Sequence, residues 1–470
     1  MNALDNMMSE WKRYPEAEAY LAEKLTQFVD VVPLARTLDA DLSVRTSSRL
    51  SDWIDHLVLV DGDTPRARLA EYGFMPRMVP ASSGDVVYHH PGAYFARVVL
   101  RGREGVAPGT VLTAALQVEE ISAFLMAHEM DHLLQLIGAI EGALLSPLRR
   151  ACVYRGAESE GRELWVVARR GTDSLVPVEV PPDYARRYLH AFERWATRQR
   201  AYADPRQGMT QTLALARSLA SEMGADAAAW IVFAAERALW HCRNKAGQVQ
   251  KARQDSLGLG WANHDHHTFR SSRETFGTLL QILEALGFYP RERFYAGAEA
   301  GWGAQVMEQP VCRIVVFADV DLAPDELTRD FHKPLAPRPE LGTVGLWCAL
   351  HGESMLTAGL HHLAGRFDFD AATADLAEWG VEMMRPFSDF DYLRQAFTRG
   401  EHWTVAAERL ARLVAAGHIN QEDAARFAEH GAIGSHLENI QRGQGFKGFN
   451  QQTVSDIIRR TDPRTGYGAA

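Results

Sequence analysis

The chain has few cysteines and no long apolar run. Its four cysteines are Cys152, Cys242, Cys312 and Cys348, and their wide spacing argues against a disulfide framework or a thiolate zinc site. No stretch reaches the ~20 apolar residues that a membrane span needs. The polar start MNALDNMMSEWKRYPEAEAY lacks the basic region and apolar core of a signal peptide. These absences predict a soluble, cytoplasmic protein with reduced thiols.

The chain also lacks an excess of positive charge. Its net charge is −10 and it has no basic stripe, whereas binding to a nucleic-acid backbone needs clustered lysines and arginines. A nucleic-acid partner is therefore not expected, although a local pair of arginines can still bind a small acid. With 470 residues, 46% hydrophobic and 23% charged, the chain has enough material for two or three cores.

One stretch, WANHDHHTFR, combines histidines and an arginine at the spacing of a β-strand. A strand places alternate residues on one face, and here these are His264, His266, Thr268 and Arg270. At ~3.3 Å per residue, His266 and Arg270 lie ~13 Å apart. Such a face suits a metal at one end of a small acid and a charged clamp at the other end.

Two later stretches repeat this pairing. LHHLAGRFDFD has His362 four residues before Arg366, and SHLENIQRG has Glu438 four residues before Arg442. The glycines that follow the second stretch predict that Glu438 lies in a loop. Two histidines and one carboxylate are the usual protein ligands of a non-haem Fe(II) with open positions.

These three stretches resemble the ligand motifs of the 2-oxoadipate dioxygenase/decarboxylase family, the D-2-hydroxyglutarate synthases. DHHTFR at 265–270 is similar to the family's His-Gly-Ala-Ile-Arg, or to Asp-His-Ile-Ala-Phe-Arg in its shorter members. HHLAGR at 361–366 is similar to Asn-His-Leu-Thr-Pro-Arg, and LENIQRG at 437–443 is similar to Gly-Glu-Ile-Glu-Gln-Arg-Gly. GFYPRERF and CRIVVFADVDL also resemble the shorter members, so the likeness covers about the last 210 residues.

The resemblance implies a vicinal-oxygen-chelate fold and an oxidative decarboxylation. The expected class is α+β, with βαβββ modules that form a cupped mixed sheet and with large helical additions. The implied reaction uses Fe(II) and O2 to convert a 2-oxo acid, such as 2-oxoadipate, into a 2-hydroxy acid that is one carbon shorter. The implied residues are the metal ligands His266, His362 and Glu438, the catalytic and substrate-binding Arg270 and Arg366, and the substrate-binding Arg442. Longer members have Gly where this chain has His267, so another substrate is an open alternative.

Similar segments in the first half predict an internal duplication. IDHLVL matches HDHHTF, GFMPR matches GFYPR, and FARVVL matches VCRIVVF, in the same order and at a period of about 210 residues. The first copy keeps Asp55 and His56 but has Val60 where the second copy has Arg270, so it lacks the acid clamp. His56 is left as a candidate for a second metal site or a vestige of one.

The pattern divides the chain into three parts. Residues 1–200 form a diverged first half, and residues 201–260 form a helical bridge that ends in a polar loop over 244–260. Residues 261–470 form the metal-binding half, which carries a helical insertion over 389–429.

A second metal motif, HEMDH, competes with this interpretation. It lies in a stretch of helical pattern, where His128 and His132 share a face that could hold zinc while Glu129 acts as a base. It resembles the metal helix of peptide deformylases, but Ala143 stands in the position closest to that family's cysteine ligand. The alternatives to the oxygenase are therefore a zinc hydrolase and a non-catalytic protein that binds a small acid on the same fold.

Overall fold

Two β-sheets dominate the computed structural model, which describes residues 11–157, 161–450, 458 and 461–464. The strands of the first sheet are β1 (Ile54–Val60), β2 (Met75–Pro76), β3 (Val86–His89), β4 (Arg97–Arg101), β5 (Val111–Gln117), β6 (Ile140–Glu141), β7 (Leu148–Arg155) and β8 (Glu163–Arg169). Those of the second sheet are β9 (His264–Arg270), β10 (Tyr289–Tyr295), β11 (Trp302–Gln309), β12 (Ile314–Asp321), β13 (His362–Arg366), β14 (Ser388–Phe390), β15 (Leu393–Phe397), β16 (Glu401–Trp403) and β17 (Ala432–Arg442).

The α-helices precede, separate and cover these sheets. They are α1 (Pro15–Val31), α2 (Pro33–Thr46), α3 (Asp63–Glu71), α4 (Ile121–Ala127), α5 (His132–Gln135), α6 (Tyr184–Ala196), α7 (Pro205–Met223), α8 (Ala225–His241), α9 (Lys245–Asp255), α10 (Phe276–Ala285), α11 (Thr343–His351), α12 (Phe369–Glu378), α13 (Ala407–Ala415) and α14 (Gln421–His430). Among the described residues, no helix is both long enough and apolar enough to cross a membrane.

The two sheets have the same strand order. The first runs β2-β3-β4-β1-β5-β8-β7-β6 and the second runs β10-β11-β12-β9-β13-β17-β15-β14, with β16 paired beside β17. The central pairs also agree in direction, because β1–β4 and β9–β12 are parallel while β1–β5 and β9–β13 are antiparallel. The predicted duplication is confirmed by this correspondence.

Each sheet is built from two modules in which a strand and a helical segment precede three further strands. One module is β1-α3-β2-β3-β4, and its counterpart is β9-α10-β10-β11-β12. The other module of the first sheet begins with β5, and the other module of the second sheet begins with β13; each continues with a helical segment and further strands. The predicted α+β class, with βαβββ modules of the vicinal-oxygen-chelate kind in a mixed sheet and large helical additions, is confirmed.

The middle strand of the second sheet is covered on both faces. All seven residues of β9 are buried, because α8 packs on one face and the candidate metal centre occupies the other. Phe233 of α8 meets Phe269 at a ring separation of 5.7 Å and Phe288 at 5.2 Å. Burial of one such side chain contributes ~1.5–3 kcal/mol, so this helix layer fixes the position of the strand that carries His266.

The secondary structure differs from the sequence prediction in three segments. The predicted loop over 244–260 contains α9, which begins after an Asn244 side chain that accepts a hydrogen bond from Gly247 N. The predicted helical insertion over 389–429 contains β15 and β16 before its two helices. Glu438 lies in the middle of the long strand β17 and not in a loop.

Candidate metal centre

Three neighbouring strands bring the predicted ligands together. In the sheet, β13 lies between β9 and β17. His362 pairs in register with Thr268 of β9, and two residues later Ala364 pairs with Glu438 of β17. Because the three strands are neighbours, the side chains of His266, His362 and Glu438 lie against one another on one face of the sheet.

The three donor atoms form a nearly equilateral triangle. His266 Nε2 lies 3.1 Å from Glu438 Oε2 and 3.3 Å from His362 Nε2, and His362 Nε2 lies 3.2 Å from Glu438 Oε2. Ligands at right angles around a metal at ~2.1 Å lie ~3.0 Å apart. Two neutral imidazoles and one carboxylate are also a suitable donor set for a divalent transition metal. Within the described part of the chain, these three residues are the one cluster of metal-ligating side chains.

The charges of the triad favour a cation. Burial lowers the pKa of His362 to about 4, so this ring is neutral at pH 7. Burial also opposes the charge on Glu438, but His266 and His362 lower its pKa to about 2. For His266, burial is outweighed by Glu438 and Asp265, which raise its pKa to about 9. Without a metal, the site therefore holds one exchangeable proton on His266.

Two polar side chains orient the ligands. Asp265 Oδ1 lies 2.9 Å from His266 Nδ1. The other ring nitrogen of His266, Nε2, is therefore directed at His362 and Glu438. Asp265 is held in turn by Arg442, whose Nε and Nη2 donate to its two oxygens at 2.7 and 2.9 Å. Gln395 Nε2 donates to Glu438 Oε1 at 2.8 Å. Such contacts around a metal site fix ligand orientation and tune basicity.

The triad faces a small cavity with aromatic walls. Its volume is about 40 Å³, and its aromatic lining is Phe294, Trp302, Phe317, Phe387, Phe397 and Phe449. Asp319 also lines it, and burial raises the pKa of this carboxyl to about 8 although Arg270 and His266 oppose the rise. Asp319 is therefore a hydrogen-bond donor at neutral pH, in a site with little room for water.

The three predicted arginines occupy different positions. Arg270 is buried, with Nε 3.8 Å from Asp319 Oδ2, so it lies behind the wall of the cavity. Arg366 lines other cavities, on the side of Tyr94. Arg442 is engaged with Asp265. Of the three, Arg270 is the one next to a residue that lines the triad cavity.

The single face predicted for β9 is interrupted. Leu363 and Gly365 of β13 pair with His267 and His264, so between these pairs two residues of β9 oppose one residue of β13. His264 therefore packs beside His267, at a ring separation of 5.3 Å, and not beside His266. An extra residue of this kind moves the side chains on one side of it to the opposite face of the strand.

Among its described residues, the first half has no equivalent triad. Register places His56 at the position of His266, Thr113 at that of His362 and Trp165 at that of Glu438. The Asp-Arg pair is retained, because Arg169 Nε and Nη2 donate to Asp55 at 2.6 and 2.8 Å. His56 thus keeps the Asp-Arg contacts that orient a ligand histidine, but the other two donors are replaced.

The HEMDH motif does not lie on one helix. Helix α4 ends at Ala127, Glu129 adopts a left-handed φ of 58°, and α5 begins at His132. His128 Nε2 lies 3.2 Å from Leu257 O. Because the two histidines are not one turn apart on a common helix face, the geometry that the zinc-hydrolase alternative requires is absent.

Sequence reasoning did not identify three polar residues of this site. Asp265, Gln395 and Asp319 each lie within a strand that carries or adjoins the triad. The signal for Asp265 was the Asp-His pair repeated in both halves at Asp55 and His56. Gln395 lay inside a segment that resembled a helix, and Asp319 inside an ordinary apolar strand pattern.

No family model matches the chain, and no curated protein matches it. Among solved structures, a variant of 4-hydroxymandelate synthase from Streptomyces coelicolor shares 13% identity with a TM-score of 0.27, over 88% of this chain and 99% of that chain. A xylose isomerase-like TIM barrel/4-hydroxyphenylpyruvate dioxygenase fusion protein shares 12% identity with a TM-score of 0.24, over 89% of this chain and 53% of that chain. Methylmalonyl-CoA epimerase from Mycobacterium tuberculosis shares 12% identity with a TM-score of 0.23, over 38% of this chain and 87% of that chain. At these values, the likenesses assign no activity to this chain.

Metal binding is expected to strengthen as the pH rises. The pKa of His266 is raised to about 9, so below that pH a metal must displace one proton, and its apparent affinity falls about tenfold per pH unit. Chelator competition at about pH 6 and about pH 8 measures this slope. Calorimetry in buffers of different ionisation enthalpy is expected to count one released proton. An apparent affinity that stays constant over this range would contradict the assigned protonation state.

Proposed function

We propose that the chain is an Fe(II)-dependent dioxygenase that oxidatively decarboxylates a 2-oxo acid to a 2-hydroxy acid one carbon shorter. The observation that carries this proposal is the convergence of His266, His362 and Glu438 in a nearly equilateral donor triangle. His266, His362 and Glu438 would hold Fe(II), which would bind the 2-oxo acid and O2 and, together with the 2-oxo acid, would supply electrons to O2.

The surroundings of the triad favour an oxygenase over a zinc hydrolase. A zinc hydrolase of the HExxH kind uses a carboxylate base beside the metal-bound water. Asp319 is the other acidic residue that lines the cavity within the described residues, and burial raises its pKa to about 8, so it is mostly protonated at pH 7 in the metal-free site. The aromatic walls limit the entry of water, which protects a reactive intermediate.

The chain's own residues have three tasks in this proposal. Asp265, held by Arg442, keeps His266 Nε2 directed at the site. Gln395 keeps one oxygen of Glu438 turned away from the histidines. Asp319 lines the cavity in front of Arg270, and this position marks where a second acidic group of the substrate would bind.

Arg270 has N–H groups that could bind a second acidic group of the substrate. Among the described residues, its Nε and Nη1 have no hydrogen-bond partner, and Asp319 Oδ1 also has none. A buried guanidinium with unsatisfied N–H groups favours a carboxylate, which accepts two parallel hydrogen bonds. The cavity of about 40 Å³ is much smaller than the ~300–1,000 Å³ of typical ligand pockets. The aromatic side chains must therefore move apart when a 2-oxo acid binds.

Oxygen uptake tests the reaction. The protein reconstituted anaerobically with Fe(II) is mixed with single 2-oxo acids, both monocarboxylic and dicarboxylic. We expect O2 consumption and CO2 release in equal amounts, and label from ¹⁸O2 in the hydroxy-acid product. Turnover that proceeds equally well with zinc, or product release without O2, would refute the oxygenase. Tight binding of a 2-oxo acid without O2 uptake would instead support the non-catalytic alternative.

Arg270→Lys is expected to raise the KM for a dicarboxylic 2-oxo acid while leaving iron binding intact. Lysine keeps the charge but loses the planar fork, at a cost of ~1–3 kcal/mol for a charged hydrogen bond, or ~5–150-fold. Steady-state oxygen uptake gives the KM. Arg273→Lys is the matched control, because Arg273 binds Glu326 outside the cavity, and it is expected to leave the KM unchanged. An unaltered KM in Arg270→Lys would remove this arginine from substrate recognition.

A further inference from the structure

A second and larger cavity lies between the two halves of the chain. Its volume is about 320 Å³, which is within the range of small-molecule sites, ~300–1,000 Å³. Equivalent strands of the duplicated sheets border it, since it is lined by Ile54 and Arg97 from β1 and β4 and by His264 and Val315 at β9 and β12. This cavity, termed the seam cavity, contains none of the three triad residues.

The seam cavity carries more positive than negative charge. Its cationic lining residues are Arg77, Arg97, Arg313, Arg366 and Lys447. Two of them have acidic partners of their own, Asp173 for Arg77 at 2.7 Å and Glu308 for Lys447 at 3.0 Å. Asp55 is shared between two guanidinium groups, those of Arg97 and Arg169.

Arg313 and Arg366 supply the uncompensated charge. Among the described residues, no carboxylate forms an ion pair with either one. The side-chain hydrogen bond that Arg366 Nε donates to Asn263 O is long, at 3.4 Å. Arg313 has no hydrogen-bond partner within the same residues. Burial lowers its pKa most, Asp55 opposes this effect, and Arg169 and Arg366 lower the pKa further. A partly buried cation without a partner is costly, and an anion in the cavity removes that cost.

The backbone fixes Arg313 in position. It ends the turn between β11 and β12 with a left-handed φ of 57°. Gln309 Oε1 accepts hydrogen bonds from Val311 N and Cys312 N at 2.8 and 2.9 Å, and Cys312 Sγ donates to Asp226 O at 3.1 Å. A non-glycine residue held in this conformation stores strain of the kind that accumulates at binding sites.

We propose that the seam cavity binds a small molecule with at least two negative charges, a dicarboxylate or a phosphate ester, through Arg313 and Arg366. Guanidinium groups recognise carboxylates and phosphates through paired hydrogen bonds. Aromatic side chains at the cavity, including Tyr94 and Tyr289, add apolar contact for the body of the ligand. This site is separate from the metal centre and does not depend on the proposed reaction.

Calorimetry at low salt tests the site with three probes: glutarate, inorganic phosphate and the neutral glutaramide. We expect glutarate or phosphate to bind the wild-type protein with a Kd below about 1 mM and more weakly as salt is added, and glutaramide not to bind. Binding of one anion but not the other distinguishes a carboxylate ligand from a phosphate ligand. Failure of both anions to bind, or equal binding of glutaramide, would overturn the proposal.

Arg313→Gly separates binding from folding. Glycine adopts a positive φ without strain, so we expect this variant to keep or raise the Tm without ligand while its anion affinity falls at least about tenfold. Arg217→Ala removes the charge of an exposed arginine of α7 and is expected to bind the anion normally. Glu438→Gln is also expected to bind normally, even if the oxygenase proposal fails. Unchanged affinity in Arg313→Gly would exclude Arg313 as the anion contact.

Discussion

His362→Ala is expected to weaken Fe(II) binding by at least ~100-fold, because it removes one of three protein donors. The fold is expected to survive, since the pKa of His362 is lowered to about 4 and the ring that is lost is uncharged. The polar contacts that are lost join Nε2 to Thr268 Oγ1 at 2.8 Å and to Glu438 Oε2 at 3.2 Å, and Nδ1 to His361 Nδ1 at 3.1 Å. Iron content after anaerobic reconstitution and gel filtration measures the effect, and the Tm checks folding.

The duplication provides a matched control for this variant. His56 lies at the position of His266 in the other half, is buried, and contacts Asp55 at 2.6 Å, but Thr113 and Trp165 replace the other donors. His56→Ala therefore removes a supported histidine of the same kind, and we expect full iron content. His128→Ala is expected to behave in the same way. Loss of iron in His128→Ala with retention in His362→Ala would move the metal to the HEMDH segment.

The sequence was most informative where the same pattern occurs twice. The pairs of matched segments predicted the duplicated sheet because strand residues on buried faces must keep their order and spacing. The His-x-x-x-Arg and Glu-x-x-x-Arg spacings identified the three residues that the structure brings within hydrogen-bond distance of one another. The adjacency of β9, β13 and β17 was not readable from periodicity, and the resemblance implied the ligand set without giving this strand order.

The segment around Glu438 illustrates why strands in this sheet are hard to predict. Ten of the eleven residues of β17 are buried, so the strand has no polar face and no alternation of apolar and polar residues. Its interior Ser435, His436 and Glu438 instead resemble a polar loop. The five residues of β15 are too few to reveal a period of two within an Ala- and Leu-rich region.

Local pattern also failed where tertiary contacts fix the backbone. The HEMDH segment follows apolar residues at helical spacing, yet α4 ends before it because Phe124 and Leu125 are fully buried while His128 turns toward Leu257 O. In β9, the register shift beside Gly365 moves His264 to the other face. Neither event leaves a periodic signal, because both depend on partners more than 90 residues away in the chain.

The retained Asp-Arg pair shows which part of the duplicated unit is structural. Asp55–Arg169 and Asp265–Arg442 occupy equivalent strand positions, although one half lacks the triad. Burial opposes ionisation of Asp265, but Arg442 and His266 hold its pKa far below the usual range. Because the same pair persists in a half that has Thr113 and Trp165 in place of two of the donors, its first effect is to hold the strand that bears the arginine near the strand that bears the Asp-His motif.

Glu438→Gln is expected to lower turnover by at least ~100-fold while the fold is retained. Glutamine has nearly the same volume and can still accept the hydrogen bond from Gln395. The substitution removes the negative member of a buried pair, and His266, whose pKa Glu438 helps to raise, can lose its proton in response. The change therefore leaves no large unpaired charge. What is lost is the anionic one of the three residues that would hold Fe(II), and the redox chemistry that the metal would supply is therefore expected to slow.

Oxygen uptake with Fe(II) and a 2-oxo acid measures this loss, and the Tm of the variant is expected to lie within a few degrees of the wild-type value. Glu129→Gln is the control, because Glu129 lies in the HEMDH segment outside the triad, and it is expected to keep full activity. An active Glu438→Gln together with an inactive Glu129→Gln would disprove the two-histidine, one-carboxylate oxygenase. Inactivity of Glu438→Gln with normal iron content and intact folding would place the defect in the chemistry, because metal loading and structure are then both unchanged.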